Sequence, residues 1–296
     1  MEPRIQYAKT EDGVSIAFST LGEGMPFVHM PAVFSHLQLD WEIPELRSWD
    51  ERLAKKWQIV RYDARGSGLS DRDVTDFSLD AGVLDLEAVM DRLGLERFVL
   101  WAPLFSGPAS IAYAVRHPER VSHLILWNAG ARTTDFTGGP QAQALVKLAD
   151  ADWEMFTETL ARVAFGWSAG EEARRFAAVI RESVTQEWLQ AFMAAPDVDV
   201  TELLPQVRSP SLVLSAVSPR SPQWIPPEVS PRGYRMPAWP SSRGPQQRPG
   251  WVTRMRCIAP STSSWARVRR RQRRASHLKQ PPFTQSSLLT SKARQP

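Results

Sequence analysis

The sequence predicts an α/β fold, with a mostly parallel sheet that starts antiparallel, helices on both faces and a helical insertion after the sixth strand. Three observations predict it. Apolar strands alternate with helical periodicity through residues 1–132. The stretch 98–108 reads as a buried strand, a sharp turn and the start of a helix, and an apolar strand returns at 121–127, which is the pattern of a parallel βαβ unit. Residues 141–192 show helical periodicity without strand signals.

The first strands are predicted to form a hairpin. Residues 5–9 and 14–21 are strand-like, and Asp12-Gly13 supplies the turn between them. A short buried strand follows at 27–30.

Residues 31–44 are predicted to form a loop rich in bulky side chains. Pro44 suits the first turn of a helix that runs to about Lys56. A strand at 58–63 and a glycine-containing loop at 64–71 come next.

The next helix is predicted to begin after Ser78 as its N-cap and to run to Leu93, with Gly94 ending it. The helix after the central turn continues to His117, where Pro118 stops it.

The insertion and the end of the chain are predicted from the later pattern. Residues 133–140 form a loop, four or so helices follow with breaks near 166 and 168–170, and a strand returns at 207–215. We therefore expect the following organisation: core 1–132, helical cap 133–206, last recognisable core strand 207–215, and a Pro/Ser/Arg-rich disordered tail 216–296.

Charge is divided unevenly along the chain. The tail from Ala216 holds 16 Lys or Arg residues and one acidic residue, Glu228, which leaves 20 basic and 31 acidic residues in 1–215. The body carries about −11 and the tail about +15. The abrupt change in composition favours an out-of-frame translation of a GC-rich gene as the origin of the tail. The alternative is an arginine-rich arm that binds nucleic acid or an acidic membrane surface, with nucleic-acid contacts from Arg267, Arg269, Arg270, Arg271, Arg273 and Arg274.

Composition excludes several classes of protein. Cys257 is the single cysteine, so an intrachain disulfide is impossible. No signal-peptide h-region and no long apolar run are found, so we expect a cytoplasmic protein without a membrane span. No spacing of His, Cys or carboxylates indicates a metal, and the glycine pairs lack a dinucleotide fingerprint, so we expect no cofactor.

Four motifs follow one another along the chain. They begin at Asp12, Tyr62, Asp85 and Ala114: Asp-Gly-Val-Ser-Ile-Ala-Phe, Tyr-Asp-Ala-Arg-Gly-Ser-Gly-Leu-Ser, Asp-Leu-Glu-Ala-Val-Met-Asp-Arg-Leu-Gly-Leu and Ala-Val-Arg-His-Pro-Glu-Arg-Val-Ser-His-Leu-Ile-Leu. In this order they resemble the α/β-hydrolase fold. The resemblance covers about residues 5–215 and implies that the last strand and helix of that fold are missing, which would leave the seventh strand as an exposed edge open to self-association. Residues 35–42 look most similar to hydrolase-like domains joined to bacterial nucleotide cyclases or LuxR-type regulators, where they are regarded as small-molecule sensors.

The resemblance implies a serine nucleophile at a strained turn, in Gly-x-Ser-x-Gly. An ungapped alignment places Ala102 to Ser106 on those five positions, so Leu104 occupies the nucleophile position. Leucine has no lone pair with which to attack. Ser106 is the alternative nucleophile, but its neighbours Leu104 and Pro108 are not small, and a helix N-cap is the favoured interpretation of this serine.

The acid and base that the resemblance implies are not found. The expected acid position after the seventh strand reads Ala216-Val-Ser-Pro-Arg, and the alternative position after the sixth strand holds Asn128. The one histidine beyond residue 123 is His277, in the basic tail. No member of a catalytic triad is secured.

The resemblance implies a pocket even though no catalytic triad is found. Phe105 and the loop after the third strand occupy the positions that frame an oxyanion hole in the family. We expect an apolar pocket lined by Ala32, Val33, Phe34, His36, Trp41, Trp101, Leu104 and Phe105.

The sequence thus favours a non-catalytic module that binds a small apolar ligand. Two alternatives stay open. One is a serine hydrolase acting on a small ester or amide through Ser106, and the other is nucleic-acid binding through the tail.

Overall fold

A computed structural model describes residues 2–165, 170–214 and 256–258 of the 296-residue chain. All of them belong to one compact unit, Met1–Pro260. The predicted breaks near 166 and 168–170, His277 and the arginines at 267–274 lie outside the described residues.

The strands form one sheet in the order β1-β2-β4-β3-β5-β6-β7-β8. Their bounds are β1 Gln6–Lys9, β2 Ser15–Leu21, β3 Met25–His29, β4 Trp57–Tyr62, β5 Phe98–Pro103, β6 Val121–Trp127, β7 Ser211–Leu214 and β8 Arg256–Ile258. The hairpin β1–β2 is confirmed, and β2 also pairs antiparallel with β4. From β4 to β7 every pairing is parallel, which confirms the mostly parallel sheet with an antiparallel start.

Helices cover the sheet and build a separate layer at its carboxyl end. Their bounds are α1 Leu37–Glu42, α2 Pro44–Leu53, α3 Leu79–Arg92, α4 Gly107–Arg116, α5 Thr134–Thr137, α6 Pro140–Ala151, α7 Trp153–Phe165, α8 Gly170–Ser183 and α9 Gln186–Ala194. The predicted N-cap of α3 is confirmed, because the Ser78 side chain accepts a hydrogen bond from the backbone N–H of Ala81. The helices α6 to α9 fall where the sequence predicts helices between β6 and β7.

Side-chain alternation along β5 divides the core between the two faces of the sheet. Leu100 and Ala102 face α3 and α4 in the main core. Val99 and Trp101 face the opposite side, in a cluster that Leu53 of α2 partly covers. A third apolar cluster joins α6, α7, α8 and α9 and includes the half-buried side chains of Val33 and Phe34, so the helical layer is anchored on the loop after β3.

Three boundaries differ from the sequence prediction. The predicted loop at 31–44 contains α1, whose first turn is capped by His36. The last parallel strand begins at Ser211, since a 3-10 helix occupies Thr201–Gln206. Within the predicted tail, β8 pairs antiparallel with Ser211–Val213, so the expected bare edge of β7 is covered along three residues.

Candidate functional site

Leu104 forms a sharp turn between β5 and α4. Its φ is +50°, and among the described residues only Asn128 is also a non-glycine residue with positive φ. The left-handed backbone is unfavourable for a leucine by roughly 1–2 kcal/mol, so the surrounding structure must impose it. A strained strand-to-helix turn of this kind presents the nucleophile in hydrolases. Leu104 therefore lies at the strained point of this turn, and its correspondence to the nucleophile position stays a prediction of the alignment.

Close backbone packing supports the turn. Gly107 opens α4, and a Cβ atom there would collide with the carbonyl oxygen of Gly130 and lie 3.0 Å from the Cβ of Ala129. Helix α4 thus starts against the loop after β6, with no room for a side chain. This contact fixes the direction in which the elbow points.

Ser106 is engaged in the turn itself. It precedes α4 as the sequence indicates, but its hydroxyl does not cap the helix. The Oγ atom donates instead to the carbonyl oxygen of Pro103 at 2.6 Å, and the residue is 8% exposed. The predicted side-chain cap is therefore wrong. The hydroxyl instead links the turn to the end of β5 by a hydrogen bond.

A small inner cavity lies above the elbow. Its volume is about 150 Å³, and Leu104 and Phe105 lie on its wall together with Ala32, Val33 and Phe34. These five are residues that the sequence predicts as pocket lining. Helices α6, α7 and α9 roof the cavity with apolar side chains, including Leu145, Phe156, Leu160 and Leu189.

A larger outer cavity of about 420 Å³ lies beside the inner one. Ser106 lines this outer cavity and not the inner one, whereas Leu104 lines only the inner one. Phe105 borders both, and its ring lies 4.6 Å from that of Phe136, measured between centroids. The aromatic pair Phe105–Phe136 therefore stands where the two cavities meet.

The prediction is wrong for three of the expected lining residues, because none of them lines either cavity. Trp101 points to the opposite face of the sheet, where its ring lies 3.9 Å from that of His29. His36 caps α1 through Nδ1, which accepts from the backbone N–H of Leu39 at 3.3 Å. Trp41 follows Asp40 on the same helix, so it projects about 100° away from the residue that does face the cavity.

The described residues include four histidines, which differ in their positions and contacts. His29 lines the inner cavity, and burial lowers its pKa well below the usual value. Burial also lowers the pKa of His36. His117 ends α4 with Nε2 2.6 Å from a carboxylate oxygen of Glu87, and His123 is exposed on β6. The position after β6 holds Asn128, whose φ is +46°.

Sequence reasoning missed a buried ion-pair group beside the inner cavity. Arg61 of β4 donates to Asp40 at 2.6 Å and to Asp50 at 3.0 Å. Asp40 and Arg61 both line the cavity. The available signal was an arginine inside the otherwise strand-like stretch 58–63, since a charge there needs a partner.

A second network holds the loop after β4. The side chain of Arg65 binds Asp85 at 2.9 Å and Asp12 at 2.7 Å, and the backbone N–H of Arg65 donates to Asp85. Asp63 accepts hydrogen bonds from the backbone N–H groups of Leu37 and Leu69. These contacts fix the loop on which the helical layer rests.

The described residues hold no cluster of three or more His, Cys, Asp or Glu side chains arranged to bind a metal ion. None of their helices combines the length and the apolar character needed to cross a bilayer.

The comparisons with known proteins show the fold family of this chain. A family model described as the alpha/beta hydrolase fold matches residues 39–200. RutD of Rhizobium rhizogenes, named as a carbamate hydrolase, is 30% identical to this chain. The match covers 55% of this chain and 65% of that relative. Matches to the Caulobacter proteins of the same name cover about 31% of their length. A 2-hydroxy-6-oxo-2,4-heptadienoate hydrolase of Pseudomonas putida is 25% identical over 74% of this chain and 80% of its own length.

Solved structures show the same fold. The esterase RhEst1 from Rhodococcus sp. superposes with a TM-score of 0.61 at 21% sequence identity, covering 72% of this chain and 80% of its own. At that identity the likeness concerns the fold alone.

Proposed function

The chain belongs to the α/β-hydrolase fold family, and from that premise we propose that it binds a small apolar molecule in the inner cavity without hydrolysing it. The observation that carries the proposal is Leu104 at the apex of the elbow. A hydrolase of this fold needs a nucleophilic hydroxyl, thiol or carboxylate at that position to form the covalent intermediate, and leucine offers none of these. The leucine side chain is 4% exposed and closes the floor of the cavity instead.

The cavity supports binding of a compact ligand. An engineered cavity of about 150 Å³ lined by apolar side chains binds benzene, and the inner cavity has that volume and a mostly apolar lining. Its wall comes from the loop after β3, the elbow and the helical layer, so a ligand there contacts all three parts. A sensory role would follow if that contact changed how the helical layer sits.

Binding is tested with toluene as the probe. Ala142 lines the inner cavity, whereas Ala144 is exposed on the same helix, α6. Toluene is expected to raise the melting temperature of the wild type and of Ala144→Phe, because it binds only the folded state. Ala142→Phe fills the cavity and is expected to abolish the shift. An unshifted wild type, or an undiminished shift in Ala142→Phe, would overturn the proposal.

Serine hydrolysis is the second candidate function. The relatives named as hydrolases support serine hydrolysis more directly than they support binding without turnover. Ser106 would be the nucleophile, acting on a small ester or amide after leaving the carbonyl of Pro103. Turnover of p-nitrophenyl acetate that disappears in Ser106→Ala would establish this candidate over the first.

A further inference from the structure

One end of the inner cavity is charged. The guanidinium of Arg61 lies between the carboxylates of Asp40 and Asp50, at 2.6 Å and 3.0 Å. Asp40 and Arg61 line the cavity and Asp50 does not. The side chains of Asp40 and Arg61 keep 10% and 16% of their exposure, so each is buried apart from a small area.

The group carries more negative than positive charge. Two carboxylates share one guanidinium, and these carboxylates raise the pKa of Arg61, which keeps it protonated. His29 supplies no second positive charge, since burial lowers its pKa well below the usual value. Asp63 is a further carboxylate close enough to raise the pKa of Asp40. With two carboxylates to one guanidinium, the group has a surplus of negative charge at pH 8.

Asp40 has unused acceptor capacity. An ionised carboxylate offers about four lone-pair positions, and the side chain of Asp40 accepts one hydrogen bond from Arg61. No other donor contacts this carboxylate among residues 2–165, 170–214 and 256–258. The side chain of Asp40 lines the cavity and keeps 10% of its exposure, so a donor on a ligand can reach the remaining acceptor positions.

We propose that the Asp40–Arg61 end of the inner cavity selects ligands that carry a primary ammonium group on a compact apolar body. The apolar body occupies the space beside Leu104 and Phe105, and the ammonium group donates to Asp40. This inference rests on the proposed binding function and adds the chemical class of the ligand. An anionic ligand of the same shape is excluded by repulsion from the surplus charge.

The test uses four probes of nearly one shape: benzylamine, benzyl alcohol, toluene and benzoate. Their dissociation constants are measured by calorimetry at pH 8, where benzylamine is cationic and benzoate is anionic. The wild type is expected to bind benzylamine at least about tenfold more tightly than benzoate, the size of one charge-assisted hydrogen bond. Asp40→Asn is expected to reduce the ratio to about threefold or less, because it removes the charge and keeps the shape. Asp73→Asn, an exposed change, is the control.

The outcomes separate the two proposals. Equal affinities for benzylamine and benzoate in the wild type, or tighter binding of benzoate, would overturn the ammonium selectivity and leave binding itself in place. Failure of all four probes, toluene included, would overturn the binding function as well. The wild-type series decides the question even where Asp40→Asn does not fold.

Discussion

The hydroxyl of Ser106 donates to the backbone carbonyl of Pro103 with 2.6 Å between the oxygen atoms, across the turn that Leu104 forms. The bond holds the turn closed and occupies the hydroxyl proton. The serine next to the elbow therefore has a structural partner.

Replacing Ser106 tests that role. Ser106→Ala is expected to lower the free energy of unfolding by about 1 kcal/mol, because a buried hydrogen bond is lost. Ser110 in the first turn of α4 is the matched control, since its buried hydroxyl has no hydrogen-bond partner among the described residues. Ser110→Ala is expected to be neutral or stabilising in urea denaturation. Equal losses in the two variants would contradict the assignment.

The start of α4 offers a second test. Gly107→Ala is expected to destabilise the fold by about 2 kcal/mol or more, because the new methyl group meets the Gly130 carbonyl and must displace backbone. Gly82→Ala in α3 places its methyl group 3.6 Å from the Cβ of Ala109, an ordinary contact. It is expected to stabilise by about 0.5–1 kcal/mol. Chemical denaturation checks both signs, and a harmless Gly107→Ala would show that the elbow is less tightly supported than described.

The contact between the loop after β4 and the helical layer gives a third prediction. A side chain at Gly66 would collide with the indole of Trp188, whose Nε1 donates to the carbonyl of Arg65 at 3.4 Å. Gly94 has a similar positive φ, +62° against +76°, with open space around it. Gly94→Ala is expected to lose about 1 kcal/mol to backbone strain, and Gly66→Ala clearly more. Thermal unfolding that gives the two variants equal losses would contradict docking of the helical layer at Trp188.

Stability should depend on pH through Asp40. Burial raises its pKa to about 6 from 3.8, with Arg61 opposing the shift and Asp63 and Asp50 adding to it. The folded state then binds a proton more tightly than the unfolded state, so this contribution is present at low pH and is lost as pH rises through 6. From pH 7 down to pH 5 the wild type should gain about 1 kcal/mol from this group.

Asp40→Asn should remove that gain, while Asp73→Asn should keep it. Asp85 titrates in the same direction in both variants, since burial also raises its pKa to about 6. The comparison therefore uses the difference between the two variants in urea denaturation at each pH. An Asp40→Asn profile parallel to that of the control would mean that Asp40 has an ordinary pKa.

The sequence predicted the turn at Leu104 because its neighbours follow strict local rules. Apolar residues from Phe98 to Pro103 require a buried strand, and the helical pattern that ends at Pro118 fixes the direction of return. Together they place the turn, and the ungapped alignment to the pattern of the family that the motifs resemble then assigns Leu104 to its apex.

The walls of the site could not be predicted as well, because they depend on which way side chains point. Trp101 is apolar and close in sequence to the elbow, yet strand alternation places it on the opposite face. Helix α1 was hidden because His36, an uncommon cap, begins it. The pairing of Arg61 with Asp40 joins residues 21 positions apart and leaves no local pattern.

The absence of a nucleophile at the elbow is tested most directly by incubating the purified chain with a fluorophosphonate and measuring its intact mass. With Leu104 at the apex and the Ser106 hydroxyl bound to Pro103, the mass is expected to remain that of the unmodified chain. An adduct of one phosphonyl group per chain, mapped to Ser106 or to any other serine, would contradict the account and establish a serine hydrolase.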